Sequence, residues 1–388
     1  MSSSWDRAFH AYGPARGGDE LLNVLRNGEE ETYAEENPGV VWWRQPYSFL
    51  WSALYCGGRI TPATVLGLRH LLKAIPASDF GGTDPTLRWA AVWWIRDVIA
   101  AALTDTDPKD ARLTAARRNE QIVAHWLHNH LARERSIFEW DDNDAPGQVL
   151  LAAARVDCFD CLPECYGPLS SLLTPHSPEQ LRAAAASATA MLIRHPDLHR
   201  YKEEITAYHA EEACHGSPQY RASMLIGLGE LGAATSEWLT DPELAVKVCA
   251  ALAPGLAEDQ TATQVLRTAS LDPAALDASL AGMHLHQVPQ HHHTVAEALC
   301  HRVEAFEPLL DSAITAVAYE TPGGVSAEPY LRKAFPHGLP IHGTTAQQTL
   351  ARAIAAHDRA WQSDKRWTQA LSRTGLPVER EAWLASAG

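Results

Sequence analysis

The sequence predicts an all-α fold, a right-handed α-solenoid of stacked antiparallel helix pairs, and three observations carry that expectation. Segments such as 180–192, 221–232 and 244–256 are rich in Ala and Leu, with apolar residues three and four apart, the spacing of one helical face. The breaks between such segments share one form, a turn residue and a proline followed within a few positions by a basic residue. Strand patterning is nearly absent, the one short candidate being Gly39-Val40-Val41-Trp42-Trp43.

Along the chain the shared break occurs at Asp84-Pro85 with Arg88, Asp107-Pro108 with Arg112, Ser177-Pro178 with Arg182, His195-Pro196 with Arg200, Ser217-Pro218 with Arg221, and Asp241-Pro242 with Lys247. A side chain such as Asp or Ser caps orphan amides, and proline at the first helical position gives up an N–H that had no partner there. Each break therefore marks a helix start. Prolines 178, 196, 218 and 242 are 18, 22 and 24 residues apart, so two units span roughly the 40 to 47 residues of a two-helix repeat. The expected organisation is one solenoid over 1–388, with atypical N-terminal repeats and an acidic loop in 1–80, an irregular insertion in 81–176, the most regular repeats in 177–310 and capping helices in 311–388. Trp361, Trp367 and Trp383 suit a cap that covers the last repeat.

Asp241-Pro242-Glu243-Leu244-Ala245-Val246-Lys247-Val248-Cys249-Ala250-Ala251 resembles the second-helix signature of a HEAT repeat, with Lys247 where Arg is usual. The ends are similar to those of a group of actinobacterial HEAT-like proteins. The motifs that carry this are Trp5-Asp6-Arg7-Ala8-Phe9-His10-Ala11-Tyr12-Gly13, Leu50-Trp51-Ser52-Ala53-Leu54 with Pro62-Ala63-Thr64, and Gly375-Leu376-Pro377-Val378-Glu379-Arg380. The resemblance implies an armadillo-like solenoid and transfers no catalytic residue. Stretches 27–43 and about 106–176 depart from regular repeats.

Composition narrows the partners. With 46% hydrophobic and 20% charged residues the chain belongs with folded proteins. Its net charge of −15 disfavours nucleic acid and anionic membrane surfaces, and 112–135 holds the one notable basic run, with Arg112, Arg117, Arg118, Arg133 and Arg135. The apolar stretch 87–103 contains Arg88, Arg96 and Asp97 and reads as a buried helix, not a membrane span. A start without a basic and apolar leader, together with seven scattered cysteines, points to a cytoplasmic, reduced protein.

Candidate chemistry is sparse. Cys158, Cys161 and Cys165 form a C-x2-C-x3-C run that offers three thiolates where a structural zinc wants four ligands, so core cysteines are the competing reading. His284, His286, His291, His292, His293 and His301 read as a solvated loop around Pro289, with only Glu297 and Glu304 near in sequence to orient a ring. His209 and Glu212 share a helical face without completing H-E-x-x-H. His125, His128 and His130 read as surface or groove residues, and Gly227-Leu228-Gly229 as small residues for close helix packing. No catalytic residue, cofactor or metal is expected.

Two acidic runs read as loops that couple carboxylates to aromatics: Glu29, Glu30, Glu31, Glu35 and Glu36 with Trp42 and Trp43, and Asp141, Asp142 and Asp144 with Phe138 and Trp140. Aromatic anchors ringed by charge suit a protein-binding patch, because aromatics carry hot-spot energy and charge steers encounter. The expected function is a non-enzymatic solenoid, of scaffold or immunity type, that binds a basic protein. The alternative is an enzyme or enzyme subunit with a groove for a small molecule or modified base.

Overall fold

Each of the six proline-marked breaks is followed by a helix within three residues. The computed structural model describes residues 4–104, 108–133, 135–140, 144–283, 291–319, 327–340, 342–361 and 365–387, so Asp107 lies outside the described residues. Asp84, His195 and Ser217 accept backbone N–H bonds from Thr86, Asp197 and Tyr220, and Asp241 accepts one from Glu243 at 2.9 Å. The helix Glu179–Leu192 starts at Pro178 without a side-chain cap.

The basic residue in the break has a structural use. Arg88 in helix Pro85–Ala102 donates to the carbonyls of Ile75 at 2.8 Å and Pro76 at 3.1 Å, at the end of the preceding helix Pro62–Ala74. Arg221 in Pro218–Glu230 likewise donates through Nε to Ala213 at 2.9 Å, just beyond Lys202–Glu212, and its Nη2 pairs with Asp241. Arg380, opening Arg380–Ala387, donates to Ala355 near the end of Thr345–Ala356. A guanidinium thus satisfies orphan carbonyls at the negative end of an earlier helix, the one directly before it for Arg88 and Arg221.

Two compact units divide the chain at 207/208. In residues 1–207 the long helix Ala145–Ser170 is the hub, touching Pro62–Ala74, Lys109–Ala115, Glu120–Arg133, Pro85–Ala102 and Glu179–Leu192. The stretch 106–176, irregular by sequence, thereby supplies the centre of the unit, and Glu179–Leu192, which starts 94 residues further along (P85 to E179), packs against Pro85–Ala102. Asp97 is buried in this helix with its carboxylate 3.2 Å from Arg96. In residues 208–388 packing passes from Pro218–Glu230 to Leu244–Ala251, Gln260–Ser270, His291–Arg302 and Glu328–Ala334 in turn. Gln260–Ser270 also touches Leu310–Ala318, which continues to Thr345–Ala356 and then Arg380–Ala387.

Strand among the described residues is limited to two two-stranded antiparallel hairpins, Phe9–His10 with Gly13–Pro14 and Tyr55–Cys56 with Arg59–Ile60. Among these residues no helix is long and apolar enough to cross a membrane. Near the C-terminus Trp367 and Trp383 are buried, and Trp383 donates to Pro377 at 2.9 Å within the closing motif. Gly227 needs its missing side chain: a Cβ there would lie 2.3 Å from the ring of the buried His209.

Two local expectations are corrected. The first acidic run is not a loop: residues Glu30–Glu36 form a helix that ends before Pro38, because Glu30 and Glu31 in its first turn favour the positive helix end. The histidines 291, 292, 293 and 301 lie on helix His291–Arg302 instead of a loop, while His284 and His286 fall outside the described residues. His130, read as a surface or groove residue, is 4% exposed at the end of Glu120–Arg133 and lines a cavity there with His125 and Trp126.

Candidate functional site

The N-terminal motif folds into the first hairpin, and that hairpin gathers the aromatics of both predicted patches. Its Ala11 N–H donates to Ala53 at 3.0 Å, inside the Leu50–Leu54 motif, and its carbonyl accepts from Ile137 N–H at 3.0 Å and Ser136 Oγ at 2.8 Å. Tyr12 then lies 5.3 Å from Trp42, 6.1 Å from Trp43 in a stacked arrangement and 5.9 Å from Phe138, with its hydroxyl 3.7 Å from Cys56 Sγ. Residues about a hundred positions apart in sequence (W42 to F138) therefore share one surface around Tyr12. Trp42 is 53% and Phe138 49% exposed, so neither is spent on core packing.

Phe9 organises a second, inner cluster. Its ring meets His130 at 5.1 Å, Trp140 at 5.6 Å and Trp126 at 6.0 Å, all edge-on, while Trp126 and His130 stack at 4.7 Å. Trp126 Nε1 donates to Asp144 at 2.8 Å. Asp144, half-buried, is thus engaged by an indole. Asp141 and Asp142 lie outside the described residues.

Glu29, Glu31, Glu35 and Glu36 of the first run are exposed, and Glu30 is half-buried. Helix Glu30–Glu36 has no buried residue, and Glu29 precedes it, accepting from Asn27 Nδ2 at 3.3 Å. Burial, and secondarily the charge of Asp84, raises the Glu30 carboxyl above its ordinary value. Two cations sit on the aromatics, unforeseen by sequence: the Arg44 guanidinium lies 5.3 Å from the Trp43 ring and that of Arg59 5.0 Å from Phe138.

Gly147 lets the long helix approach the inner cluster. A Cβ on it would lie 2.7 Å from the Trp140 ring and 3.0 Å from that of Trp126. Gly147→Val is expected to destabilise residues 1–207 by about 1–3 kcal/mol through overpacking. Denaturation followed by tryptophan emission would measure it, and a loss below about 0.5 kcal/mol would mean the indoles move freely.

Elsewhere the sulfur and imidazole clusters become readable. Cys158, Cys161 and Cys165 are buried along one side of the long helix; Cys161 Sγ donates to the Cys158 carbonyl at 3.1 Å and Cys165 Sγ to that of Cys161 at 3.9 Å. Hydrogen bonding to Cys161 and burial hold the Cys158 thiol well above its ordinary pKa, and burial does the same for Cys165. Among the described residues no group of three His, Cys, Asp or Glu side chains is placed to hold a metal ion.

The carboxylate that orients a histidine of 291–301 is Asp277, a residue the sequence reading missed. His292 Nδ1 lies 2.8 Å from Asp277 Oδ2, which also accepts from Tyr319 Oη at 3.2 Å. Burial alone would raise the Asp277 carboxyl, but the hydrogen bond and charge of His292 bring it below its ordinary value. No protein-family model, curated protein or solved structure matches the chain.

Proposed function

We propose that this is a non-enzymatic, HEAT-like α-solenoid protein of the cytoplasm that binds a basic protein through the Tyr12 surface. The observation that carries the reading is the half-exposed pair Trp42 and Phe138, both seated on Tyr12, with Trp42 six residues in sequence after a helix whose Glu30, Glu31, Glu35 and Glu36 share no buried face. Large aromatics held in place but left in water lose little conformational freedom on binding, and they dominate interface energetics. Exposed carboxylates on the same unit raise the encounter rate with a cationic partner and leave close packing to the rings. The successive helix contacts of residues 208–388 support a stacked helical arrangement, and its right-handed sense and antiparallel pairing are part of the proposal. Scaffold and immunity roles both fit such a surface.

The test begins with a photo-crosslinker at position 42 in the native host, followed by purification of the captured protein and stopped-flow association. Replacing Glu29, Glu30, Glu31, Glu35 and Glu36 by Gln is expected to slow association by about tenfold at low salt and flatten its salt dependence. Trp42→Ala or Phe138→Ala is expected to speed dissociation about tenfold or more, with unchanged folding. Trp140 is unsuitable as a binding probe, because Phe9, Trp126 and His130 enclose it and its removal opens the core. Association and dissociation rates indifferent to both sets of changes would refute the assignment.

A further inference from the structure

We infer that the Tyr12 surface receives a segment of the partner protein in which an apolar side chain is flanked by carboxylates. The inference rests on the reading of this surface as the docking face, and it adds what an otherwise basic partner presents there. Consecutive ring contacts run from Trp43 through Tyr12 to Phe138, at 6.1 and 5.9 Å, with Trp42 5.3 Å from the same Tyr12 ring. A guanidinium stands at each end of this series: Arg44 lies 5.3 Å from the Trp43 ring and Arg59 5.0 Å from that of Phe138.

Both guanidiniums are uncompensated. Neither Arg44, half-buried, nor Arg59, exposed, has an ion pair or a hydrogen bond among the described residues. In the same unit Arg26 pairs with Asp79, Arg112 with Asp160 and Arg135 with Glu139, as expected in a chain of 47 acidic and 32 basic residues. Asp110 lines a cleft with Arg59 but forms no ion pair with it among the described residues. A guanidinium held against a ring keeps its edge N–H donors, and these match a carboxylate in plane with two bonds. Each guanidinium is already seated on a ring, so little conformational freedom is lost when a carboxylate arrives.

Between the charged ends the surface is apolar, with Trp42 and Phe138 each about half in water. An apolar side chain of the partner covers them, with carboxylates on either side of it to meet Arg44 and Arg59. Trp, Tyr and Arg dominate the energetics of protein interfaces, and all three stand here. A nucleic acid fits less well, because a phosphate at every nucleotide would meet the net charge of −15 beyond the two guanidiniums. That acidic excess acts at longer range and steers a basic protein inward, whereas the contact itself is decided by the nearest charges.

Calorimetric titration of the full chain at low salt tests this with an acetylated, amidated heptapeptide that has leucine at its centre, serine on each side of it and two glutamates at each end. Each step along the series is between 5.0 and 6.1 Å, and an extended heptapeptide at roughly 3.3 Å per residue reaches both guanidiniums. It is expected to bind at least about tenfold more tightly than a counterpart with glutamines in place of the glutamates. Arg44→Gln and Arg59→Gln are each expected to weaken the glutamate peptide about fivefold or more and to leave the glutamine peptide and the thermal midpoint unchanged. Serine in place of the central leucine is expected to cost about fivefold as well. Equal affinity for the two charge forms, no saturation by the glutamate peptide at millimolar concentration, or saturation by single-stranded decathymidylate in its stead would overturn the inference, the last in favour of a nucleic acid. The captured protein separates this result from the docking reading. Faster dissociation from Trp42→Ala, with rates indifferent to Arg44→Gln and Arg59→Gln, would retain the docking face and refute the carboxylates; indifference to all three changes would remove the docking face itself.

Discussion

Acidification from pH 6.5 to pH 5 is expected to strip residues 1–207 of about 3 kcal/mol of stability, about 1.6 kcal/mol from each of two buried histidines. His10 is fully buried and His130 is 4% exposed. Burial, reinforced by the charge of Arg44, lowers the His10 pKa to about 3; burial, reinforced by Arg135, lowers that of His130 to about 4. Both rings therefore stay neutral in the folded chain through a range where the unfolded chain takes up protons on them. Their contribution is complete above pH 6.5, shrinks as pH falls, and stops changing only below the folded values. Between pH 6 and pH 5 the slope of stability against pH should approach that of two protons. Urea denaturation at several pH values, read by tryptophan emission, gives the slope directly. His130→Phe, which keeps a ring against Trp126, should remove about one proton from it. A stability flat from pH 6.5 to pH 5.5 would mean that these rings are hydrated.

Arg221→Ala is expected to destabilise residues 208–388 by about 3 kcal/mol or more, because it strands the Asp241 carboxylate. The two side chains are 19% and 10% exposed, so little water can replace the guanidinium. The same change deprives the Ala213 carbonyl of its donor. Asp241 also caps the next break by accepting from Glu243, so Asp241→Asn keeps an acceptor and should cost less than Asp241→Ala. The exposed pair Arg332 and Glu297, at 52% and 53% exposure, provides the comparison; Arg332→Ala should cost about 0.5 kcal/mol or less. Equal losses for Arg221→Ala and Arg332→Ala in denaturant melts would refute the view that the basic residue of the break links successive helices.

Helix starts are legible in the sequence because capping and the proline preference are local chemistry, decided within about four residues. The partner of the basic residue is not legible: Arg88 and Arg221 use backbone carbonyls of the helix before, and a carbonyl has no sequence identity. The acidic and aromatic residues of the candidate surface are visible as two runs, yet their meeting on Tyr12 depends on hairpin contacts with residues 53, 136 and 137. The acidic helix is missed because a glutamate run between Gly28 and Pro38 reads by its flanks, while its interior has good helix formers. Asp277 is missed because the search for a carboxylate near His292 stays within the histidine-rich segment, and the answering residue lies on the helix Pro273–Ser279 before it.

The position of Ala11 between residues 53 and 137 has a kinetic side. Ser136 Oγ reaches the Ala11 carbonyl across 125 residues of sequence, so this closure forms only after a long intervening stretch has been synthesised. During synthesis the hairpin with Phe9 and Tyr12 waits, its rings without the Trp126, Trp140 and Phe138 that later cover them. Contacts of such sequence separation slow folding, since the entropy of closing the loop is lost before the contact rewards it. The early segment of the nascent chain is then a natural client for a chaperone that holds aromatic residues, until the long helix Ala145–Ser170 arrives to complete the unit.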